Sequence, residues 1–328
     1  MEESASWKQK RILVTGATGF IGQHLVRRLK EMGAQVYAGT SPTKGLNPPS
    51  PTSLGRPTRL APGELSEAEH TLAFDVRNAG AVRDAVADAR PDVVFHLAAV
   101  GATNPDVDPM LALEVNAGGV INLLEALRES DVDRIVLTGT SYEYGARDAE
   151  KKLDPFNAYA ASKVAAWAFG QAYWRAHELP IVTVRLFQVY GPGQPDHMLI
   201  PAAINAALSD EDFPMTAGEQ RRDFIFAEDV ADGMIAAAQT AEIDGASLDL
   251  GTGIGTTVRH VVQQVWEMTD AAGRRQRGAR PYRTGAPVHL VADAEGTAQL
   301  TGWHATTSLE EGLRITMEQF KSQVQPAT

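Results

Sequence analysis

Two residues four positions apart, Tyr159 and Lys163, carry side chains that can exchange protons, and they lie in a helix-like stretch rich in small residues. Positions i and i+4 share one face of a helix, so the phenol and the ammonium group are expected to be neighbours. A free tyrosine has a pKa of about 10, and a nearby cation lowers it by favouring the phenolate. The spacing therefore predicts a Tyr–Lys pair that exchanges a proton near neutral pH.

Three glycines, Gly16, Gly19 and Gly22, follow a short β-branched run at residues 12–14 and precede a helical pattern that continues to Leu29. Glycines at this spacing let the backbone turn tightly and approach a pyrophosphate. The first N–H groups of the helix and its dipole then stabilise the negative charge. This segment predicts a dinucleotide-binding turn between a strand and a helix.

The end of the second predicted strand bears on the choice of cofactor. Enzymes that use NAD usually place an acidic residue there to bind the adenosine ribose, but here the strand continues into Gly39-Thr40-Ser41. Thr40 and Ser41 can donate hydrogen bonds to a 2′-phosphate, and Lys44 adds positive charge. The sequence therefore favours NADP(H), with NAD(H) as the other possibility.

Strand-like segments alternate with helical segments up to residue 186, which predicts an α/β fold with a Rossmann-type, doubly wound parallel sheet. The strand-like segments are residues 12–14, 35–38, 72–74, 93–97, 134–137 and 181–186. Beyond residue 193 the regularity loosens, and a further strand-like stretch at 246–250 returns to the first lobe. We expect a dinucleotide-binding domain at 1–186 plus about 227–252, with a smaller, interleaved C-terminal lobe at 187–226 and 253–328. The six prolines in 41–63 predict a surface loop.

Composition restricts the class of protein. The 328 residues carry a net charge of −11, which disfavours binding to nucleic acid. The absence of cysteine excludes disulfides, thiolate metal sites and a cysteine nucleophile, and is typical of a reducing cytoplasm. The N-terminus lacks an apolar signal core, and we predict neither a membrane-spanning run nor a metal site. The expectation is a cytoplasmic protein.

A series of motifs occurs in one order along almost the whole chain. They are TGATGFIG at 15–22, FDV at 74–76, FHLAA at 95–99, Asn116, TGTSYEYG at 138–145, YAASK at 159–163, RLFQVYGPG at 185–193, RRDFIFAEDV at 221–230 and a C-terminal TGW-x-x-x-TSLEEGL. Together they resemble the extended short-chain dehydrogenases/reductases that modify nucleotide-diphosphate sugars. The resemblance implies an enzyme with a nicotinamide cofactor.

The resemblance also implies a catalytic set of Thr140, Tyr159 and Lys163. Thr140 would hydrogen-bond the sugar oxygen, Tyr159 would pass the proton, and Lys163 would tune the phenol and hold the nicotinamide ribose. Asp75 would recognise adenine. The cofactor-binding residues expected from the motifs, besides Tyr159 and Lys163, are Gly16, Thr18, Gly19, Phe20, Ile21, Gly22, Thr40, Ser41, Asp75, Val76, Leu97, Ala98, Ala99 and Asn116.

A nucleotide-diphosphate sugar is the implied substrate. Arg222 and Arg283 match two family arginines that clamp the diphosphate, a task that suits the bidentate guanidinium group. Gln188 stands where many relatives have Asn. The expected substrate-binding residues are Thr140, Ser141, Tyr142, Gln188, Arg222 and Arg283.

Dehydratases of this family carry an acid within two residues after the active-site Thr, where this chain has Ser141 and Tyr142. Glu143 comes one position later, and on an extended segment it would face the other way, which disfavours a dehydratase. The missing acid of the second strand favours NADPH-dependent 4-ketoreduction of an NDP-4-keto-6-deoxyhexose in deoxysugar biosynthesis. An NAD-dependent 4-epimerase is the alternative. A non-catalytic nucleotide-sensing module is a more distant one, disfavoured by the Tyr159–Lys163 pair.

Family members pair the helix equivalent to that of Tyr159 with its symmetry mate, so the resemblance implies a homodimer. The identity of the base and of the sugar depends on loops such as 101–108 and 195–199, for which no motif gives a geometry.

Overall fold

The computed structural model describes residues 7–42, 70–104, 106–145 and 152–324. Its centre is a seven-stranded sheet in which all neighbouring strands are parallel, in the order β10-β6-β5-β4-β1-β2-β3. The strands of this sheet are β1 (Arg11–Thr15), β2 (Gln35–Thr40), β3 (His70–Ala73), β4 (Val93–His96), β5 (Arg134–Thr140), β6 (Ile181–Leu186) and β10 (Ser247–Leu250). The order 3-2-1-4-5-6 is that of a Rossmann fold, so the predicted fold class is confirmed.

Helices cover both faces of the sheet. On one side lie α1 (Phe20–Glu31) and α7 (Ala227–Gln239), and on the other lie α2 (Ala79–Ala89), α4 (Gly119–Leu127) and α5 (Ala158–His177). A short helix α3 (Pro109–Ala112) and a π-helical segment (Leu113–Gly118) lead into α4.

Strand β1 illustrates that both faces of the sheet are buried under helices. Ile12 and Val14 pack into the core under α1 and α7, whereas Leu13, between them, packs into the opposite core. Side chains alternate along a strand, and both faces of a parallel sheet are buried, so the strand is apolar throughout.

The C-terminal part of the chain builds a smaller lobe. Its short strands are β7 (Gln188–Tyr190), β8 (Phe213–Met215), β9 (Arg221–Phe226), β11 (Gly255–Thr257), β12 (Arg275–Arg277) and β13 (His289–Leu290). Its helices are α6 (Leu199–Leu208), α8 (Val258–Thr269) and α10 (Leu309–Val324), which enclose a separate core. A further helix, α9 (Ala294–Thr301), packs near β10.

The chain passes between the two lobes more than once. Strand β10 pairs with β6 at the edge of the large sheet, as the stretch 246–250 predicts. Strand β7 follows β6 of the large sheet almost directly and pairs with β9 of the small one. These pairings agree with interleaved domains, and the domain boundaries given above stay a prediction. Lys44 and the predicted surface loop beyond residue 42 lie outside the described residues.

One described helical run, Pro109–Leu127, is long and apolar enough to cross a membrane by length and composition. We predicted no such run from the sequence. Half of its apolar window is buried inside the protein, and it packs against α2 and α5. A buried helix of a folded core meets the same criteria of length and composition.

Candidate active site

The glycine turn between β1 and α1 packs closely against the main chain that follows β4. Gly16 has a φ of +71°, and a Cβ at that position would lie 2.8 Å from the Ala98 nitrogen and 2.9 Å from the Leu97 carbonyl carbon. A Cβ at Gly22 would collide with the Gly16 carbonyl oxygen. Both positions therefore require glycine, the first for its backbone conformation and both for space.

Helix α1 begins at Phe20 with unsatisfied donors. Its N-cap, Gly19, has no side chain to accept a hydrogen bond from the first turn, and that turn contains no acidic residue. The first N–H groups of a helix have no partner within the helix. This end of α1 can therefore bind an anion such as a pyrophosphate.

A cavity of about 680 Å³ joins the glycine turn to the ends of β2, β4, β5 and β7. Most of the predicted cofactor and catalytic residues line it. They are Gly16, Thr18, Gly19, Phe20, Ile21, Gly22, Thr40, Ser41, Asp75, Val76, Leu97, Ala98, Ala99, Thr140, Tyr159 and Lys163. The cavity is thus a single space that reaches from a dinucleotide-type turn to a proton-transfer pair.

The helix α5 presents Tyr159 and Lys163 together. Asn157 caps the helix by accepting a hydrogen bond from the Ala160 N–H at 2.8 Å, which places Tyr159 in the first turn. Tyr159 is 8% exposed and Lys163 is 3% exposed. The two side chains therefore share the buried face of α5, as their spacing predicts.

Lys163 is held by the end of β5. Its Nζ donates to the Thr138 carbonyl oxygen at 2.7 Å, and the Thr138 hydroxyl donates to the His96 carbonyl at 2.8 Å. Burial lowers the pKa of Lys163 to about 8, and the negative charge of Glu143 opposes this effect. The ammonium group is thus closer to losing its proton than an exposed lysine is.

The pKa of Tyr159 differs from the sequence-based expectation. Burial raises it, a hydrogen bond with the Thr140 side chain opposes the rise, and the charge of Glu143 adds to it. The prediction that the neighbouring cation lowers this pKa is wrong for the protein by itself. Desolvation of the phenolate dominates, and Lys163 directs its ammonium group to the Thr138 carbonyl instead.

Thr140 ends β5 and caps the next turn, a 3₁₀ helix at Ser141–Tyr144. Its backbone N–H donates to the Glu143 carboxylate at 2.8 Å, and its side chain accepts from the Tyr142 N–H. The segment is helical rather than extended, so the reason given above for the orientation of Glu143 is wrong. Glu143 nevertheless faces away from the cavity, because its second oxygen accepts from Arg185 at 2.7 Å.

The predicted substrate residues divide into two groups. Thr140, Ser141, Tyr142 and Gln188 line the cavity. Arg222 does not line it: its guanidinium group donates to the Pro287 carbonyl at 2.7 Å and interacts with Tyr142. Arg283 is exposed in the segment between β12 and β13 and does not line the cavity either.

Asn116, a predicted cofactor residue, lies behind the cavity wall. Its side chain is fully buried and does not line the cavity. The amide oxygen accepts from the Val100 N–H at 2.9 Å, and the amide nitrogen donates to the Val100 carbonyl and to the Ser162 hydroxyl. Its hydrogen-bonding capacity is used to fix the chain after β4 against α5, so it supports the cavity wall.

The end of the cavity formed by β2 has little positive charge. Thr40 is 6% exposed, and the Asp75 carboxylate is paired with Arg77 at 2.6 Å. Among the lining residues that the structure describes, Lys163 is the only lysine or arginine, and it lies on α5 with Tyr159. Lys44, the cation that the sequence suggests for a 2′-phosphate, lies outside the described residues.

The sequence reasoning missed several polar residues of the cavity wall. Gln194, Asp196 and His197 line the cavity. The last two belong to the 195–199 loop, which was singled out above only as a source of specificity, and Gln194 directly precedes it. Burial raises the pKa of Asp196. The amide oxygen of Gln194 is buried and has no hydrogen-bond partner among the described residues. The Glu143–Arg185 ion pair was missed as well, because the two residues are 42 positions apart.

No group of three or more His, Cys, Asp or Glu side chains within 7–42, 70–104, 106–145 and 152–324 is arranged to hold a metal ion.

Comparison with known proteins agrees with this geometry. Residues 12–251 match the family described as NAD dependent epimerase/dehydratase. A UDP-glucose 4-epimerase of Mycolicibacterium smegmatis is 30% identical over 328 residues, which cover 96% of this chain and 100% of that protein.

Solved structures of UDP-glucose 4-epimerases are also similar to this chain. The UDP-glucose 4-epimerase of Thermotoga maritima with UDP-glucose has a TM-score of 0.84 at 25% identity and covers 96% of this chain and 99% of its own. The UDP-glucose 4-epimerase of Thermus thermophilus in complex with NAD has a TM-score of 0.80 at 28% identity, with 95% and 99% coverage. This chain therefore belongs to the NAD dependent epimerase/dehydratase family and is an enzyme of the extended short-chain dehydrogenase/reductase type.

Proposed function

We propose that this protein is an NAD-dependent 4-epimerase of a nucleotide-diphosphate hexose. The observation that carries the proposal is the similarity to UDP-glucose 4-epimerases over almost the whole chain, one of them solved in complex with NAD.

The residues present fit a nicotinamide dinucleotide. Gly16 and Gly22 leave no room for a Cβ, and α1 offers uncapped N–H groups beside them, which together suit a pyrophosphate. Asp75 lies at the end where adenine would bind. When bound, NAD⁺ accepts and returns a hydride at its nicotinamide ring, and the positive charge of that ring favours the phenolate of Tyr159.

The chain itself supplies the proton chemistry. Tyr159 takes the proton from the sugar C4 hydroxyl and returns it, while Thr140 holds the same oxygen by a hydrogen bond. Lys163 holds its ammonium group on the Thr138 carbonyl, on the same buried face of α5 as Tyr159. Epimerisation requires the C4 oxygen to reach these groups with either face of the sugar presented, which assigns sugar orientation to the other cavity walls, including Gln188 and Tyr142.

A dehydratase is disfavoured by the turn after β5. Ser141 and Tyr142 occupy the two positions in which the resemblance places the acid of dehydratases. The Glu143 carboxylate accepts hydrogen bonds from Thr140 and Arg185, so it cannot serve as the base for elimination.

The proposal extends to the lobes and to assembly. Residues 1–186 with about 227–252 bind the dinucleotide, and 187–226 with 253–328 bind the sugar nucleotide. A homodimer forms through α5 and the neighbouring segment, where Met110, Leu113 and Phe169 are 60%, 45% and 41% exposed. Contact between copies would remove these apolar side chains from water.

The test is to identify the cofactor. We would purify the protein, dialyse it, release the bound nucleotide by denaturation, and determine its identity and oxidation state by mass spectrometry. An epimerase recycles its cofactor, so near-stoichiometric NAD⁺ is expected. An empty site that exchanges NADPH freely would contradict the proposal.

The second candidate is NADPH-dependent 4-ketoreduction of an NDP-4-keto-6-deoxyhexose. The observation that favours it is the end of β2, where this strand and the two residues after it supply Thr40 and Ser41 to the cavity wall and no acidic residue. A net reductase exchanges its cofactor at every turnover. Consumption of NADPH on addition of a 4-keto-6-deoxy sugar nucleotide would establish this activity.

A further inference from the structure

A buried carboxylate lies directly behind the end of β5. Glu143 has no exposed surface, and both of its oxygens are engaged. Oε1 accepts from the Thr140 N–H at 2.8 Å, and Oε2 accepts from the Arg185 Nε–H at 2.7 Å. The Arg185 side chain is 5% exposed, so the ion pair is almost fully withdrawn from water.

Arg185 is fixed from several sides. Its guanidinium carbon lies 5.2 Å from the ring centre of Tyr144 and 5.6 Å from that of Trp167. The Tyr144 hydroxyl in turn donates to the Asp249 carboxylate at 2.6 Å. The ion pair therefore links the turn after β5 to β6, α5 and β10.

The backbone makes room for this carboxylate. A Cβ at Gly139 would lie 2.5 Å from Glu143 Oε1 and 3.1 Å from the Arg185 Cγ. The residue before Thr140 thus has to be glycine for the carboxylate to reach the Thr140 N–H. A buried ion pair is an expensive way to stabilise a core, since apolar side chains of similar size serve at least as well. This cost points to a role other than stability.

The charge of Glu143 acts on the proton-transfer pair. Its charge acts on two groups of α5, Tyr159 and Lys163, and it pairs with Arg185 of β6. Tyr142, on the same turn as Glu143, also acts on Tyr159, and Tyr144 and Asp249 act on Arg185. The negative charge of Glu143 raises the pKa of Lys163 against the effect of burial, and it raises the pKa of Tyr159.

We infer that Glu143, paired with Arg185, is a positioning residue that holds the main chain of Thr140 and supplies fixed negative charge to the Tyr159–Lys163 pair. This inference rests on the assignment of Thr140, Tyr159 and Lys163 as the catalytic set. Glu143 touches neither the cavity nor its contents and acts through those three residues.

The test separates charge from position with Glu143→Gln. Glutamine keeps an oxygen that can accept from the Thr140 N–H, but it removes the charge. Lys163 is followed in the cofactor-free protein by its ε-carbon NMR signal, and the midpoint of its titration is expected to move to lower pH than in the wild type. With NAD and UDP-glucose, kcat at pH 8 is expected to fall about tenfold or more while KM stays within about twofold.

Glu143→Gln leaves the buried Arg185 without its counter-charge and can therefore misfold. A second variant keeps the inference testable in that case. The double variant Glu143→Gln/Arg185→Gln removes both charges and is expected to show the same direction of change for Lys163. The matched control is Asp244→Asn, which breaks the ion pair with the largely buried Arg134 at the opposite end of β5. It is expected to leave the Lys163 titration unchanged.

Two outcomes would overturn the role inferred for Glu143. A folded Glu143→Gln or double variant whose Lys163 titrates as in the wild type overturns the inference. Failure of both variants to fold assigns the ion pair to stability and overturns it as well. If the wild type does not epimerise UDP-glucose, the proposed function loses support, but the Lys163 titration still tests the role of Glu143.

Discussion

Lys163 and Thr138 are joined by a buried hydrogen bond, in which the ammonium group donates to the main-chain carbonyl oxygen at 2.7 Å. The bond ties α5 to the carboxyl end of β5, two residues before Thr140. The catalytic helix and the catalytic strand are thus fixed to each other by the same lysine that is proposed to take part in the chemistry.

The state of Lys163 can be measured directly. Burial disfavours the ammonium form, so the lysine is expected to be charged below a pH of about 8 and neutral above it. An ε-carbon NMR titration of the cofactor-free protein should show this midpoint. Lys10, whose pKa is raised by its bond to Asp133, serves as an internal reference that titrates at high pH. A Lys163 midpoint near the ordinary lysine value would show that burial does not control it.

Removal of the Tyr159 hydroxyl tests the proton-transfer role. Tyr159→Phe is expected to lower kcat by about 10²- to 10⁴-fold, since it removes the group proposed to take the proton of the sugar hydroxyl. Tyr173→Phe is the matched control, because Tyr173 lies on the same helix but bonds to Glu125 away from the cavity. Rates are measured by product analysis with a sugar nucleotide. Equal rates for Tyr159→Phe and the control would remove Tyr159 from the mechanism.

The close approach at the glycine turn gives a third prediction. In Gly16→Ala the new methyl group collides with the backbone at Leu97 and Ala98, so the Kd for NAD is expected to rise about tenfold or more. Gly302→Ala is the control, because Gly302 has the same φ of +71° but no atom within 4 Å of its Cβ position.

Gly302→Ala should therefore carry only the cost of the left-handed conformation, about 1 kcal/mol in the free energy of unfolding, with an unchanged Kd for NAD. Calorimetric titration measures the affinity, and urea denaturation measures the stability. If both variants bind NAD as the wild type does, the turn is not a cofactor site.

The proposed dimer is tested at Phe169. A charge in the centre of an apolar contact is costly, so Phe169→Glu is expected to convert a dimer into a monomer at micromolar concentration. Leu300→Glu places the same charge on an exposed apolar residue of α9 and should have no effect on assembly. Light scattering coupled to size-exclusion chromatography reads out the mass. A monomeric wild type would contradict the dimer.

Much of the fold follows from local sequence patterns. The β-branched runs at 93–97 and 181–186 are found as β4 and β6, and the spacing of Tyr159 and Lys163 places both on the buried face of α5. These predictions succeed because alternation of strands and helices, and the i, i+4 rule, depend on residues close in sequence.

Features that depend on distant contacts were not predictable in the same way. The expected orientation of Glu143 assumed an extended chain, whereas Thr140 caps a 3₁₀ turn and Arg185, from another strand, binds the carboxylate. The pKa of Tyr159 was expected to fall, but burial, which sequence spacing does not give, raises it. Asn116 lies in a motif of the family and still serves the cavity wall rather than the cavity.

The cofactor and the activity were also only partly predictable from the sequence. The absence of an acid after β2 favoured NADPH and a ketoreductase, whereas the sequence and structural relatives support the NAD-dependent epimerase, which the sequence left as the alternative. One missing residue type gives little information on a cofactor, because the other groups at that end of the cavity come from separate strands.

The most direct test of the central claim is to follow the label in sugar nucleotides deuterated at C4, using UDP-, dTDP-, GDP- and CDP-hexoses with added NAD. The account predicts interconversion of C4 epimers with the deuterium retained at C4 and no net consumption of cofactor. It also predicts that Tyr159→Phe does not support this conversion. Absence of epimerisation across the panel, together with stoichiometric consumption of NADPH on a 4-keto sugar nucleotide, would contradict it.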